Sequence, residues 1–268
     1  MTESLPSPLG GSAPAELPLP HSPLVSVVAQ ARFSTVLKID SREGIAPFQE
    51  NMRADYPLFE EVTAHQLQID MSGGAGAFKP VTTKVWRFSD AARSRTLSLS
   101  SDTVTLEARV YPGRAAFMAR WATILERLEG AFAPGLVLRS GVRYLNRLHG
   151  SSLERLPDWI RENLIGVALP DLRGHVTQAI SEANLKVEEG QLLLRWGILP
   201  PKSTIDPALL EPIEDLSWIL DIDIFSAAQQ PFAAAELEQS YAALAERAYA
   251  VFRWVVMPAG LAHFGGAS

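Results

Sequence analysis

No cysteine occurs in the 268 residues, which removes disulfides, thiolate nucleophiles and cysteine metal ligands together and leaves the redox compartment open. Long apolar runs are missing as well. No stretch reaches the roughly 18 apolar residues a membrane-spanning helix needs, so no transmembrane helix is expected. The first residues lack a basic segment followed by an apolar one, which argues against a secretory signal and makes a cytoplasmic location the expectation. Surplus positive charge is also absent. Lys and Arg number 24 against 30 Asp and Glu, a net charge of −6, which disfavours a general nucleic-acid binder without excluding a local basic groove.

The usual marks of catalysis are missing too. The five histidines (His21, His65, His149, His175 and His263) are scattered, and none stands at metal-ligand spacing from another. The chain has no phosphate-binding Gly-x-x-x-x-Gly-Lys-Ser/Thr loop, no Gly-x-Gly-x-x-Gly after a strand and no Gly-x-Ser-x-Gly elbow. Gly73-Gly74-Ala75-Gly76 is glycine-rich, but no helix follows it to hold a phosphate, and it reads as a hairpin connection. The first strand carries only Arg32 as a charge, without the alternating Glu and Lys of a barrel-type phosphohydrolase. No cofactor and no metal are expected.

What remains is a globular composition, 47% hydrophobic and 20% charged, long enough for one large domain or two small ones. Residues 1–23 hold six prolines without periodicity and read as a disordered tail. The pattern then predicts strands over 23–33, 60–69, 83–88, 96–100 and 103–111, with a short helix over 44–54. A strong amphipathic helix follows over 113–130, with Phe117, Trp121, Ile124, Leu125 and Leu128 on one stripe. The second part offers a strand over 136–148, a helix over 153–163, and strands over 176–188, 191–199 and 217–225. A long helix over 233–256 closes it, with Leu237, Tyr241, Leu244, Ala248, Phe252 and Val255 on one face. Pro200, Pro201, Pro207 and Pro212 mark a loop near these strands, with Pro170 upstream.

Strand, strand, long helix thus occurs twice. We read an α+β fold with a largely antiparallel sheet, two long amphipathic helices on one face, and a diverged duplication of halves 24–150 and 151–268 that can share one domain.

The residue choice is most constrained at Arg139-Ser-Gly-Val-Arg-Tyr-Leu-Asn-Arg-Leu-His149. Alternation puts Arg139, Arg143 and Arg147 on one strand face, where three guanidinium groups repel unless anions answer them. Other strands repeat the theme. Asp221 and Asp223 lie opposite Trp218, Leu220, Ile222 and Ile224; Glu107 and Arg109 lie opposite Val104, Leu106, Ala108 and Val110. Arg87 alternates with Trp86 and Phe88, and Arg195 with Leu194 and Trp196. Together they predict a mixed-charge sheet face. It can be solvated and laced with ion pairs, a groove for an anionic ligand, or a docking surface for a partner or a second copy. Tyr144 and Asn146, on the helix side, read as structural.

The segments Pro23-Leu-Val-Ser-Val-Val-Ala-Gln-Ala-Arg-Phe33, Phe48-Gln-Glu50, Asp55-Tyr-Pro-Leu-Phe-Glu-Glu61, Trp86-Arg-Phe-Ser89 and Gly141-Val-Arg-Tyr-Leu-Asn-Arg147 carry a family resemblance. From about Leu24 to Phe264 the chain resembles a sporadically distributed, uncharacterised prokaryotic protein family. The resemblance implies no activity, cofactor or catalytic residue; its patchy distribution points to accessories of mobile, toxin–antitoxin or defence systems.

The expectation is therefore a non-enzymatic binding or interaction protein, taking an unidentified protein partner or a small anionic ligand on its arginine face. The alternative is an enzyme acting on a phosphate- or carboxylate-bearing small molecule with the arginines and Asp221, Asp223 and Glu107. On the first reading Arg143→Ala lowers binding more than thermal stability.

Overall fold

In β1 (Leu24–Phe33) Val27, Ala29, Ala31 and Phe33 alternate onto one face and are all buried, as period-two patterning requires. The computed structural model describes residues 7–70, 77–168, 172 and 174–266. The expected loop at Gly73, Gly74 and Gly76 lies outside them.

β2 (Leu58–Asp70), β3 (Ala77–Ser89), β4 (Arg95–Leu99) and β5 (Thr103–Ala108) form an antiparallel meander that returns to β1. β6 (Leu136–His149) pairs with β1 on one side and with β9 (Ser217–Ser226) on the other. β8 (Gly190–Leu199) and β7 (Ala179–Val187) continue outward from β9, and the two-residue β10 (Gln230–Pro231) pairs with the start of β6. Among the described residues the sheet has ten strands, and its main path runs β2-β3-β4-β5-β1-β6-β9-β8-β7. It passes from one half of the chain into the other through the β6–β9 pairing without a break. Outward from the β1–β6 seam the order is β5, β4 on one side and β9, β8 on the other. A diverged duplication is one proposal for that order.

The helices cover one face. α1 (Arg42–Met52) starts at Ser41, whose hydroxyl accepts the Gly44 N–H at 3.0 Å. α2 (Arg114–Phe132) buries the predicted stripe of Phe117, Trp121, Ile124, Leu125 and Leu128. α3 (Ala234–Val255) buries Leu237, Tyr241, Leu244, Ala248, Phe252 and Val255. The two long helices meet where the Trp121 and Tyr241 rings pack edge to face, 5.2 Å apart. Truncating a side chain such as Trp121, 1% exposed, costs on the order of 3–5 kcal/mol.

Two expectations change. The single helix over 153–163 is broken into a 3-10 turn (Gly150–Arg155) and two one-turn helices (Leu156–Trp159 and Glu162–Ile165). Ile160 leaves the helical region to bridge Val256, and the Arg161 N–H goes to the Val255 carbonyl, so tertiary pairing outcompetes local propensity.

The segment read as a free tail is also held from Ser7 onward. Arg247, 3% exposed on α3, donates to the carbonyls of Pro8 and Gly11 and grips Glu189 with Nε and Nη2. Further on, the Leu17 N–H donates to the Tyr249 hydroxyl at 2.8 Å, and Leu9 and Leu19 pack against the core. Docking onto α3 satisfies this proline-rich stretch without any regular structure of its own.

Candidate functional site: the arginine face and a tyrosine-lined cavity

The three arginines do share a face, opposite the helices, and the chain answers Arg139 and Arg143 with carboxylates of its own. Arg143 grips Asp221 with both arms of its fork, Nε to Oδ1 and Nη2 to Oδ2 at 2.8 Å each, and its Nη1 reaches Asp206 at 2.7 Å. Burial disfavours the charge on Arg143, but the Asp221 and Asp206 carboxylates outweigh it and raise its pKa. Arg195 lies 3.1 Å from the same Asp221, in an ion pair too bent for a hydrogen bond.

Arg139 crosses above Gly141 to reach Asp223 at 3.5 Å, donates to Gln30 at 3.2 Å and lies 4.3 Å over the Phe225 ring. Asp223 has its pKa raised, first by burial, with Arg139 and Arg143 pulling the other way.

Residues 200–216, between β8 and β9, fold back over this face as a strap. Leu210 and Ile205 join Leu145, Leu199 and Ile219 in a second small core beneath it. Asp206 is fixed by short turns, its N–H on the Thr204 hydroxyl at 3.0 Å and its Oδ1 accepting from Ala208 at 3.1 Å. The strap extends as far as Arg109, which bonds the Glu211 carboxylate, the Ala208 carbonyl and Glu107. Burial raises the pKa of Glu107 despite Arg109. Arg147, 8% exposed, donates Nη1 to the Glu211 carbonyl at 2.7 Å, while its Nε and Nη2 are buried without partners. Desolvation accordingly lowers its pKa.

Of the predicted residues, Arg139, Arg143, Arg195, Asp221 and Asp223 come together in one network. Glu107, Arg109 and Arg147 attach to it through the strap. Arg87 lies further out, exposed on β3 and separated from β6 by β4, β5 and β1, and only its charge reaches Glu107. His149 is an exposed strand-end residue whose Nδ1 lies 3.2 Å from Asp215.

A cavity of about 760 Å³ lies on the other side of the sheet, bounded by the N-terminal segment from Glu16 to Leu24, the start of α2 and the last turns of α3. Tyr144 and Asn146 of β6 form part of its lining, so the residues read as structural open onto it. Leu17, Leu19, Ala245, Ala248 and Phe252 make most of it apolar.

Most of its polar groups are paired within the chain, among them Asn146 with the Leu220 carbonyl and Tyr249 with the Leu17 N–H. The Tyr144 hydroxyl is buried with no hydrogen bond of acceptable geometry, beside Tyr111, whose ring meets it edge-on at 6.0 Å. Burial pushes the Tyr144 pKa up to about 12 and raises that of Tyr111 as well. Arg114 Nη1 is buried and unpartnered, and its guanidinium stands 5.4 Å over the Tyr249 ring.

The one sequence signal for this site was Gly113, a helix start with no side chain to cap it. The wall contributed by residues 16–24 left no trace in periodicity. Among the described residues, no helix is long and apolar enough to cross a membrane. No protein-family model matches the chain and no curated protein is significantly similar to it, so the functional argument rests on this geometry.

Proposed function

We propose that this protein is a non-enzymatic binding protein, and that its ligand site is the cavity between the N-terminal segment, α2, α3 and the centre of the sheet. The observation that carries this is a volume of about 760 Å³ whose mostly apolar lining brings together a few polar side chains, Glu16, Arg114, Tyr144 and Asn146 among them. Small-molecule sites are typically chambers of about 300–1,000 Å³, apolar with a few convergent polar groups.

This reading moves the ligand away from the arginine face. There, Arg143 spends its donors on Asp221 and Asp206 and the strap covers what the network leaves, so the charges hold the fold.

A small-molecule library read by thermal shift tests the proposal. A ligand at 100 times its dissociation constant adds about 2.7 kcal/mol, a rise of roughly 5–10 °C for a chain of this size. Ala248→Met narrows the cavity and is expected to abolish the shift, while Arg87→Ala on the far sheet face leaves it intact. If ligands shift the wild type and Ala248→Met equally, the site is elsewhere.

A further inference from the structure

At the start of α2 the cavity turns from apolar to polar. Gly113 there has φ 111°, a conformation that suits glycine, and it offers no capping side chain. The cap comes instead from Glu16, 98 residues earlier. Glu16 Oε1 accepts the Arg114 N–H at 3.2 Å, and its Oε2 lies 3.4 Å from Arg114 Nε. Ala115 and Ala116 follow along the lining, in the first turn, where N–H groups have no acceptor within the helix.

Among the residues lining the cavity, Glu16 is the one acidic side chain and Arg114 the one basic side chain. Glu16 stands on the N-terminal segment with its side chain 36% exposed, against 20% for Arg114. The carboxylate can therefore swing into solvent without moving the backbone that carries it. The cation and the helix start stay behind, at the edge of an apolar chamber.

We infer that the ligand is a small carboxylic acid with an apolar tail, and that Glu16 holds the place of its carboxylate. This rests on the cavity being the binding site. A two-oxygen, singly charged head matches the two contacts Glu16 makes. A phosphate dianion would bring more charge and more acceptors than one guanidinium and one helix start can answer. Leu17, Leu19, Ala245, Ala248 and Phe252 receive the tail. Glu16 and the ligand compete for Arg114, so the chain carries its own weak antagonist.

Calorimetry with decanoate and decanol on the full-length protein tests this. In Glu16→Gln the affinity for decanoate is expected to rise about three- to tenfold, because the anion competing for Arg114 and the helix start is gone. Decanol binding should not change. Arg114→Leu should erase any preference for decanoate over decanol. Glu16→Asp keeps the charge but withdraws it from Arg114, and should fall between wild type and Glu16→Gln, which preserves the test if Glu16→Gln folds poorly. If the two probes bind alike and neither Glu16 variant alters decanoate binding, the inference is wrong while the cavity remains the site. If neither probe binds any variant, both fail.

Discussion

Arg143 stands directly across from Asp223 in the β6–β9 register, yet its fork closes on Asp221, two pairs further along and 0% exposed. The diagonal choice leaves Asp223 for Arg139 and lets Asp221 serve both Arg143 and Arg195. A single fully buried carboxylate thus ties β6, β9 and β8 together.

Removing either partner of that pair should be costly to stability. Arg143→Ala strands Asp221 in a buried setting with only the bent Arg195 contact, and breaking a buried pair typically costs about 3–5 kcal/mol. Urea denaturation should show a loss of this order for Arg143→Ala and for Asp221→Ala. Arg143→Met with Asp221→Leu should regain much of it. This outcome reverses the expectation from sequence that Arg143→Ala would lower binding more than stability; a stable Arg143→Ala protein would restore it.

Gly141 is the position that lets Arg139 lie flat. A Cβ there would come within 3.1 Å of Arg139 Nη1, 3.2 Å of Phe225 Cβ and 3.4 Å of the Ile224 carbonyl. Gly141→Ala is expected to cost about 1–3 kcal/mol, as overpacking does. Most of that cost should vanish in the double variant Gly141→Ala with Arg139→Ala, because the guanidinium is the closest obstacle. A full cost in the double variant would place the strain at Phe225 instead.

The turn between β3 and β4 is held by Asp90. Its Oδ1 accepts the Ser94 N–H at 2.7 Å, and its Oδ2 accepts the Ser94 hydroxyl at 2.8 Å and Arg95 Nε at 2.9 Å. Burial opposes the charge, but the Arg95 and Ser94 hydrogen bonds outweigh it and hold the carboxyl below its ordinary value. The unfolded chain, with an Asp near about 3.9, then takes up the proton first. Asp90 stabilises fully above that value, and its contribution disappears as the pH falls through the folded pKa. Unfolding free energies of wild type and Asp90→Asn should differ by a constant from pH 7 to 5 and converge in acid. A gap unchanged at low pH would mean that the carboxylate charge is irrelevant there.

Arg247 should decide whether the N-terminal segment stays docked. Arg247→Met removes the donors to the Pro8 and Gly11 carbonyls and leaves Glu189 without its cation. Limited proteolysis is expected to cut within residues 7–22 faster in this variant, before the body unfolds. Glu188 lies 3.5 Å from Arg247 Nη2 with its side chain 68% exposed, and Glu188→Gln should cost no more than about 1 kcal/mol. Equal cutting rates in wild type and Arg247→Met would show that other contacts hold the segment.

Most of the fold was legible because its elements obey one period each. β1 was expected over 23–33 and spans Leu24–Phe33; α2 was expected over 113–130 and spans Arg114–Phe132; β9 differs by one residue at its end. The arginine face was legible for the same reason, alternation being a property of a single strand. What answered the arginines was not. Asp206 and Glu211 sit in a proline-marked loop, and nothing in its spacing says that it folds over β6. The cavity was hidden further, since its walls come from Glu16, Arg114, Tyr144 and Ala248, which no local pattern connects. Such contacts are made by individual side chains across long stretches of chain, the information that periodicity does not carry.

The grip of Arg247 on Pro8 joins residues 239 apart. The first described residues of the chain find partners on α3 and in the turn between β7 and β8, where the Leu9 carbonyl accepts the Glu188 N–H and the Gly11 N–H donates to the Glu188 carboxylate. During synthesis the segment from Ser7 to Ser22 therefore cannot close fully until α3 has followed it out of the ribosome. The cavity, which needs both that wall and α3, forms no earlier than that.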